Sequence, residues 1–580
     1  MLARTFTGPL VGLIAALSLS ACASVPQASV ASADASGEAW APSGGAVSSA
    51  DPRATLAGEA MLEKGGNAVD AAIAVMLALT VVEPQSSGIG GGGFMVLGDA
   101  AGSVTTYDGR ETAPAGATPD WFLDEDGTVP PFRDSVRSGL SVGVPGNIAL
   151  AAKAHAEHGK LPWSALFQPA IGLARDGFLV NPRFNSSLAD SRDTGARSEQ
   201  GRALFYDASG EPLPVGTRVR NPQLARTLEK IAQGGREAFY RGDLAVDIAR
   251  TVADDTPRPD PMNVRDMADY RAKERAALCA PYRSYRVCAM GPPTSGGIAV
   301  LQILGQLERF DLAALGQENP VTWHLFVESQ RLAYADRELY LADSDFVPVP
   351  SQGLIAPDYL ARRSAMIDPD STQAQVEAGT PAGASTALAD GDEPEERGTS
   401  HIAVVDDAGT MISYTSTIES AFGSGLMTDG FYLNNELTDF SRSPTVDGTP
   451  VANRVEGGKR PRSSMSPVVV YDPQGRPFMA VGAAGGSTIP VQTARSIIGV
   501  IDFGLEAEAA LGLPFVMAFG DSVLLEEGTW LADRQDAFRA LGHTALTVRP
   551  APVKAGIVAR QDGQWVAARD PRLAGKLDLP

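Results

Sequence analysis

The chain has 580 residues, 44% hydrophobic and 20% charged, with 69 Asp and Glu against 48 Lys and Arg for a net charge of −21. This composition excludes a disordered chain or a fibre, and the length allows about four small domains or two large interleaved ones. So acidic a surface repels phosphate backbones, which excludes nucleic acid as a general partner.

Residues 1–21 read as an export signal: Arg4 supplies a short positive region, and Leu10 to Leu19 is an apolar stretch too short to cross a bilayer. Leu19-Ser20-Ala21-Cys22 resembles the lipobox of bacterial lipoproteins, in which the signal is cut before a cysteine that then carries lipid. Lipid on Cys22 would be the only membrane anchor, because no other segment is long and apolar enough to span. Ala23 stands where some lipoproteins carry the Asp that retains them at the inner membrane, so a periplasmic protein anchored to the outer membrane is expected. Residues 22–49, rich in Ser, Ala, Gly and Pro, read as a flexible tether.

Further along, Ala54 to Val82 has two apolar helical runs broken at Gly65-Gly66, with Asn67 placed to cap the second. A glycine run, Gly88 to Gly93, leads into a strand, Phe94 to Leu97, expected to pair with Ser103 to Tyr107. Residues 143–178 and 222–253 read as helical blocks, and His324 to Tyr340 as another helix. Cys279 and Cys288 flank a turn between two β-prone segments; in an oxidising compartment they would form a hairpin disulfide, and otherwise remain thiols. Three cysteines in so long a chain are no disulfide scaffold, and without C-x-x-C or H-E-x-x-H no metal site is expected. Residues 369–398 hold few large apolar side chains and many small or acidic ones, the composition of a mobile, exposed connector. After it the pattern turns to strands: Ser400–Val405 with Met411–Ser416, Pro467–Tyr471 with Pro477–Val481, and a strand–turn–strand over Gly556–Ala568. The seam between a helix-rich first part and a strand-rich second part falls at Gly398.

Two motif matches are set aside. Gly88-Ile-Gly90-Gly-Gly-Gly93 satisfies G-x-G-x-x-G, but a helix precedes it and a strand follows, the reverse of a dinucleotide-binding turn, so a tight turn or close backbone approach is expected. Gly139-Leu-Ser141-Val-Gly143 satisfies G-x-S-x-G, yet none of the five histidines lies in a convincing acid–loop–His context for Ser141. Gly398-Thr399 is different in its setting. A Thr at the start of a strand, directly after a mobile connector, suits an enzyme that cuts its own chain there. The cut would give Thr399 both a hydroxyl and a free α-amine, which titrates near pH 7.7–8 and so is partly available as a general base at neutral pH. A plain Thr opening a strand is the competing reading of this segment alone.

Over nearly the whole chain from about Ala50, the sequence resembles the γ-glutamyltranspeptidases, or glutathione hydrolases. The carriers include GNAVDAAIAVMLALTVVEPQSSGIGGGGFMVL, DGRETAP, VPGNIALAAKAHAEHGKLPW, GPPTSGGI, AYADRELYLAD, GTSHIAVVDDAGTMISYTSTIESAFGSG, LNNELTDFS, KRPRSSMSP and GAAGGS. The resemblance implies an α+β N-terminal-nucleophile fold, a four-layer αββα sandwich. It would be built from a large subunit (residues 50–398, including the connector) and a small catalytic subunit (399–580) of one precursor. It implies Thr399 as nucleophile, Thr417 as its hydrogen-bond partner, and Gly485 and Gly486 as backbone donors to the oxyanion. For a γ-glutamyl group it implies Arg110 clasping the α-carboxylate with help from Ser463 and Ser464, and Glu436 and Asp439 accepting from the α-ammonium. No cofactor is implied; the partners would be a small γ-glutamyl substrate and a water, amino-acid or peptide acceptor.

Two departures bear on that reading. Glu419 stands where several relatives carry Asn, which adds negative charge beside the ammonium and should tighten its recognition. The stretch Arg442 to Gly458 has no aromatic residue, where relatives with a closed pocket place one, so a partly open acyl site is expected. The competing functions are a related acylase on glutaryl β-lactam or poly-γ-glutamate substrates, and an unprocessed, inactive binding lipoprotein. Glutaryl lacks the α-ammonium, so Glu419, Glu436 and Asp439 favour a γ-glutamyl substrate.

Overall fold

The structure, a computed structural model, describes residues 44–385, 388–389 and 398–579. The expected signal, Cys22 and most of the expected tether lie outside the described residues.

Two six-stranded antiparallel sheets form the centre. In chain order their strands are β1 (Ala46–Ser49), β2 (Gly92–Gly98), β3 (Val104–Gly109), β4 (Lys273–Ala276), β5 (Leu278–Tyr282), β6 (Tyr285–Ala289), β7 (Ser400–Val405), β8 (Met411–Thr417), β9 (Val468–Tyr471), β10 (Pro477–Ala484), β11 (Lys554–Gln561) and β12 (Gln564–Arg569). One sheet runs β1-β7-β8-β2-β3-β4 and the other β12-β11-β10-β9-β6-β5. Side-chain alternation along β7 shows how the layers stack. Ile402 and Val404 join an apolar cluster with α1 (Pro52–Glu63) and α2 (Ala68–Val82). Ala403 and Val405 join the opposite cluster, with β9 and β10 and with α3 (Gly296–Leu307), α4 (Pro320–Tyr340) and α5 (Ile489–Ile501). Helix, sheet, sheet and helix therefore follow one another: this is the four-layer αββα sandwich.

The expected hairpins and helices are present, with boundaries set by caps. Asn67 accepts from the Asp70 amide at 3.1 Å while the Asp70 carboxylate accepts from the Asn67 amide at 3.1 Å, a capping box that starts α2 just past the Gly65-Gly66 break. Asn319 caps α4, which begins at Pro320, four residues before the expected His324. Sequence reading missed α3 and α5. α3 is apolar on nearly every side and buried nearly all round, whereas α5 carries Gln492, Thr493, Arg495 and Ser496, all buried, so its polar face does not mark a solvent side. The glycine run does join a helix to a strand. A Cβ on Gly91 would sit 1.9 Å from the Thr417 carbonyl, so this is a close backbone approach. Ser141 lies in a short turn and donates to the carbonyls of Val136 and Ser138 at 2.8 and 2.7 Å, which makes it structural. Cys279 and Cys288 sit directly opposite each other in the β5–β6 hairpin and are joined by a disulfide.

Three expectations need correction. The tether does not reach Ser49: Ala46 to Ser49 pair with Val405 to Ile402 of β7, and Ser48 donates to the Ala568 carbonyl at 2.6 Å. Backbone pairing holds this strand, and its small residues hid it. The first half of the 369–398 connector is fastened to α4. Thr372 and Gln373 donate to Glu328, Gly379 N donates to Asp336 at 2.7 Å, and Tyr340 donates to the Gly379 carbonyl at 2.7 Å. These anchors are polar, so a composition poor in apolar residues did not reveal them. Gly398 is also no boundary between a helical and a β part, since each sheet takes strands from both sides of it.

Candidate active site

Ser400 opposes Ser416 in the β7–β8 ladder, so the residues just beyond that pair, Thr399 and Thr417, face one another. The Thr399 hydroxyl donates to Thr417 Oγ1 at 3.1 Å, and the Glu419 amide donates to the same oxygen at 2.8 Å. The Thr399 amide donates to the Ser86 carbonyl at 3.0 Å. In the uncut chain Thr399 has φ 123°, a conformation that a β-branched residue adopts only under strain, at a cost of about 1–3 kcal/mol. Breaking the peptide bond before it removes that constraint. Gly398 has no alternative here: a Cβ would lie 1.8 Å from the Glu419 carbonyl oxygen.

At the end of β10 the chain turns through Gly485 at φ 126° and Gly486 at φ 59°, and Thr488 donates back to the Gly485 carbonyl at 2.6 Å. The positive φ values are what let backbone amides turn toward a bound group. Thr399 and Gly485 line one cavity of about 620 Å³.

The other expected residues gather away from that cavity; none of Arg110, Glu419, Glu436, Asp439, Ser463 and Ser464 lines it. Arg110 follows β3, and Asp108 at the strand end accepts from its amide at 2.8 Å. Its guanidinium donates to Glu436 and Asp439, and also to the carbonyls of Pro461 and Arg462 at 3.2 and 2.8 Å. Glu436 and Asp439 share a single 3₁₀ turn, whose period of three puts both on one face. Glu419, itself in the left-handed region at φ 73°, accepts from the Asn435 side chain through one oxygen, while its other oxygen is buried without a partner. Burial holds the Glu419 carboxyl well above the usual carboxylate range, and the Asp439 charge adds to the effect. Burial does the same to Glu436 and outweighs the lowering effect of Arg110. Ser464 Oγ accepts from Arg337 at 2.7 Å, and Ser463 Oγ accepts from the Met465 amide at 3.2 Å.

This cluster is closed, contrary to the expected partly open acyl site: Arg110 is 0%, Glu436 1% and Asp439 4% exposed. Within residues 442–458, which hold no aromatic, Thr445 to Gly448 are exposed and only the part around Val451 to Val455 packs inward. Val451, Ala452 and Val455 are buried, Asn453 donates to the Asp439 carbonyl at 2.7 Å, and Ala389 of the connector donates to the Pro450 carbonyl at 2.9 Å.

Sequence reading missed Glu83, Arg183 and Lys554. Glu83 pairs with Arg183, and its Oε2 accepts from Ser400 at 2.6 Å and from Lys554 at 3.2 Å. Burial, followed by the Arg183 charge, pushes the Lys554 amine well below its ordinary range. Glu83 stands within one of the quoted motifs but Arg183 and Lys554 stand in none, and with at least 100 positions between any two of the three only folding brings them together beside Thr399. Among the described residues, His324, Glu328 and His543 are close enough to hold a metal ion. Their atoms already have partners, however. His324 bonds His543 and the Asp368 carbonyl at 2.8 Å each, and Arg331 donates to Glu328 at 3.0 Å. A guanidinium on the carboxylate makes this a fastening for the connector.

An αββα sandwich with a buried Thr opening an inner strand, set beside a paired-glycine turn, defines an N-terminal-nucleophile hydrolase. Residues 54–578 match the Gamma-glutamyltranspeptidase family model, and the chain belongs to that family. It is 36% identical to the glutathione hydrolase proenzyme of Bacillus subtilis over 508 residues, 86% of this chain and 85% of the relative. It is also 36% identical to the glutathione hydrolase proenzyme of Escherichia coli over 544 residues, 91% of this chain and 90% of the relative. Among solved structures, the cephalosporin acylase of Bacillus halodurans superposes with a TM-score of 0.79 at 27% identity, covering 92% of this chain and 94% of that one.

Proposed function

We propose that this protein cuts its own Gly398–Thr399 bond and then works as a γ-glutamyl hydrolase and transferase on glutathione and related γ-glutamyl amides. The observation that carries this reading is Thr399 itself, strained at φ 123°, buried, and donating its hydroxyl to Thr417 at 3.1 Å. In processing, Thr399 Oγ adds to the Gly398 carbonyl carbon and the peptide C–N bond breaks. The resulting ester is hydrolysed, leaving a carboxylate on Gly398 and an α-amine on Thr399. In turnover that amine takes the hydroxyl proton as Oγ attacks the γ-carbonyl carbon. The amides of Gly485 and Gly486 would hold the oxyanion. Collapse passes the proton to the departing amine and leaves a glutamyl ester, which water or a second amine then cleaves. Arg110 would take the α-carboxylate, supported by Ser463 and Ser464, while Glu419, Glu436 and Asp439 take the α-ammonium. A carboxyl held neutral by burial ionises when an ammonium arrives, so the site is prepared for that charge.

Thr399→Ala should abolish processing: a denaturing gel shows one full-length band where the parent shows two, and the parent's smaller fragment begins at Thr399. Cleavage that persists in Thr399→Ala rejects the assignment. A glutaryl acylase is the second reading, favoured by the extent of the superposition on the cephalosporin acylase. Faster turnover of glutaryl amides than of γ-glutamyl anilides would establish it. Arg4, the apolar stretch and Leu19-Ser20-Ala21-Cys22 support an exported lipoprotein held at the outer membrane and facing the periplasm. Cys22→Ser should then release the protein from membrane fractions.

A further inference from the structure

We propose that Gln492 is the positioning residue of the oxyanion turn: its one buried side-chain amide aims both of the backbone N–H groups that receive the negative oxygen. This rests on the reading of Gly485 and Gly486 as the oxyanion donors. Two adjacent glycines pose a difficulty for that role. Glycine admits several backbone conformations at little cost, and this turn runs through φ 126° and φ 59°. A peptide unit between two such residues rotates readily and would carry its N–H out of line. Preorganised donors need something that stops the rotation.

The trans peptide supplies the lever. A carbonyl and the N–H of the next residue share one plane and point in opposite directions. The Gly485 N–H is therefore aimed by the Ala484 carbonyl, and the Gly486 N–H by the Gly485 carbonyl. Both carbonyls lead to Gln492 on α5. Its Nε2 donates to the Ala484 carbonyl at 2.9 Å and to Thr488 Oγ1 at 2.8 Å. The single hydroxyl hydrogen of Thr488 is then directed to the Gly485 carbonyl, at 2.6 Å. Gln492 is fixed in turn, because its Oε1 accepts from the Lys554 N–H at 2.9 Å. Ala484 and Lys554 stand opposite each other at the end of the β10–β11 ladder, and the side-chain amide takes the carbonyl of one and the N–H of the other. Turning that amide over would set oxygen against oxygen at Ala484 and N–H against N–H at Lys554, so only one orientation satisfies the network. Gln492 is buried, and losing it leaves the Ala484 carbonyl and the Lys554 N–H without this partner.

The test measures kcat and KM for a γ-glutamyl anilide in Gln492→Met, Thr488→Val and Thr488→Ser, each expressed per processed molecule from the small-fragment band on a denaturing gel. Met keeps the length of the side chain and Val its shape, while both remove the hydrogen bonds. The oxyanion forms only on the way through the reaction, so kcat and kcat/KM should fall together, by about tenfold or more, with KM within about twofold of the parent. Thr488→Ser keeps the hydroxyl and should hold kcat within about twofold of the parent. Unchanged kcat in both Gln492→Met and Thr488→Val, a KM that rises at constant kcat, or a Ser variant as slow as the Val variant overturns the proposal. Should Gln492→Met fail to process, Thr488→Val against Thr488→Ser decides by itself. Should the parent turn over no γ-glutamyl compound, the functional reading fails separately. The same variants are then compared on a glutaryl anilide, whose tetrahedral oxygen meets the same turn, with the same outcomes for and against.

Discussion

Strain and burial meet at single residues around Thr399. Glu419 combines two unfavourable conditions, a left-handed backbone and a buried carboxyl. Asn tolerates that backbone and carries no charge, so Glu419→Asn should gain about 1 kcal/mol in denaturant unfolding. The sign of its pH dependence follows from the raised carboxyl. The stability it confers is complete below the ordinary range near 4.5 and is lost as pH rises through the elevated range. Melting temperatures of the parent should therefore decline from mildly acid pH through neutrality more steeply than those of Glu419→Asn; parallel profiles would count against the buried carboxyl. Gly398→Ala places a methyl group against the Glu419 carbonyl and should leave the chain uncut on a denaturing gel, with Thr399 intact.

At the scale of elements, α2 is the rod against which the sheet holding β7 packs, and it is buried along its entire length. Its start depends on the Asn67–Asp70 capping box, and Asp70 also accepts from the amides of Lys160 and Leu161 at about 3 Å. Asn67→Ala should cost about 1 kcal/mol, and Asp70→Ala more because three amides lose their acceptor; urea unfolding measures both. The connector is held to α4 by Glu328 and Asp336. Glu328→Gln keeps the shape but weakens that hold, and should make residues 369–385 more susceptible to limited proteolysis in the processed protein.

For the whole molecule, the cut at Gly398 divides a single folded body. β7 and β8 lie between β1 and β2, and β6 pairs with β9, so each fragment alone would present unpaired strands and half an apolar core. Residues 44–398 and 399–580 expressed separately should lack near-ultraviolet circular dichroism, whereas the processed pair should retain it and unfold in one transition. Two independent transitions for the pair would contradict this interleaving.

The sequence by itself determined the local events: the Asn67 cap and the hairpin of Ser400–Val405 with Met411–Ser416, whereas it left Cys279 and Cys288 as either a disulfide or two thiols. It determined the cap and the hairpin because capping, turns and alternation act over a few residues. The family resemblance implied Arg110, Glu436 and Asp439, which the fold brings into contact. Only the tertiary structure decided that Ala46 to Ser49 belong to the sheet, that residues 372–379 are fastened to α4, and that Arg110, Glu436 and Asp439 are buried together. Only folding placed Arg183 and Lys554 beside Thr399. Those outcomes depend on backbone pairing, polar anchoring and burial between residues hundreds of positions apart, and neither composition nor spacing records such contacts.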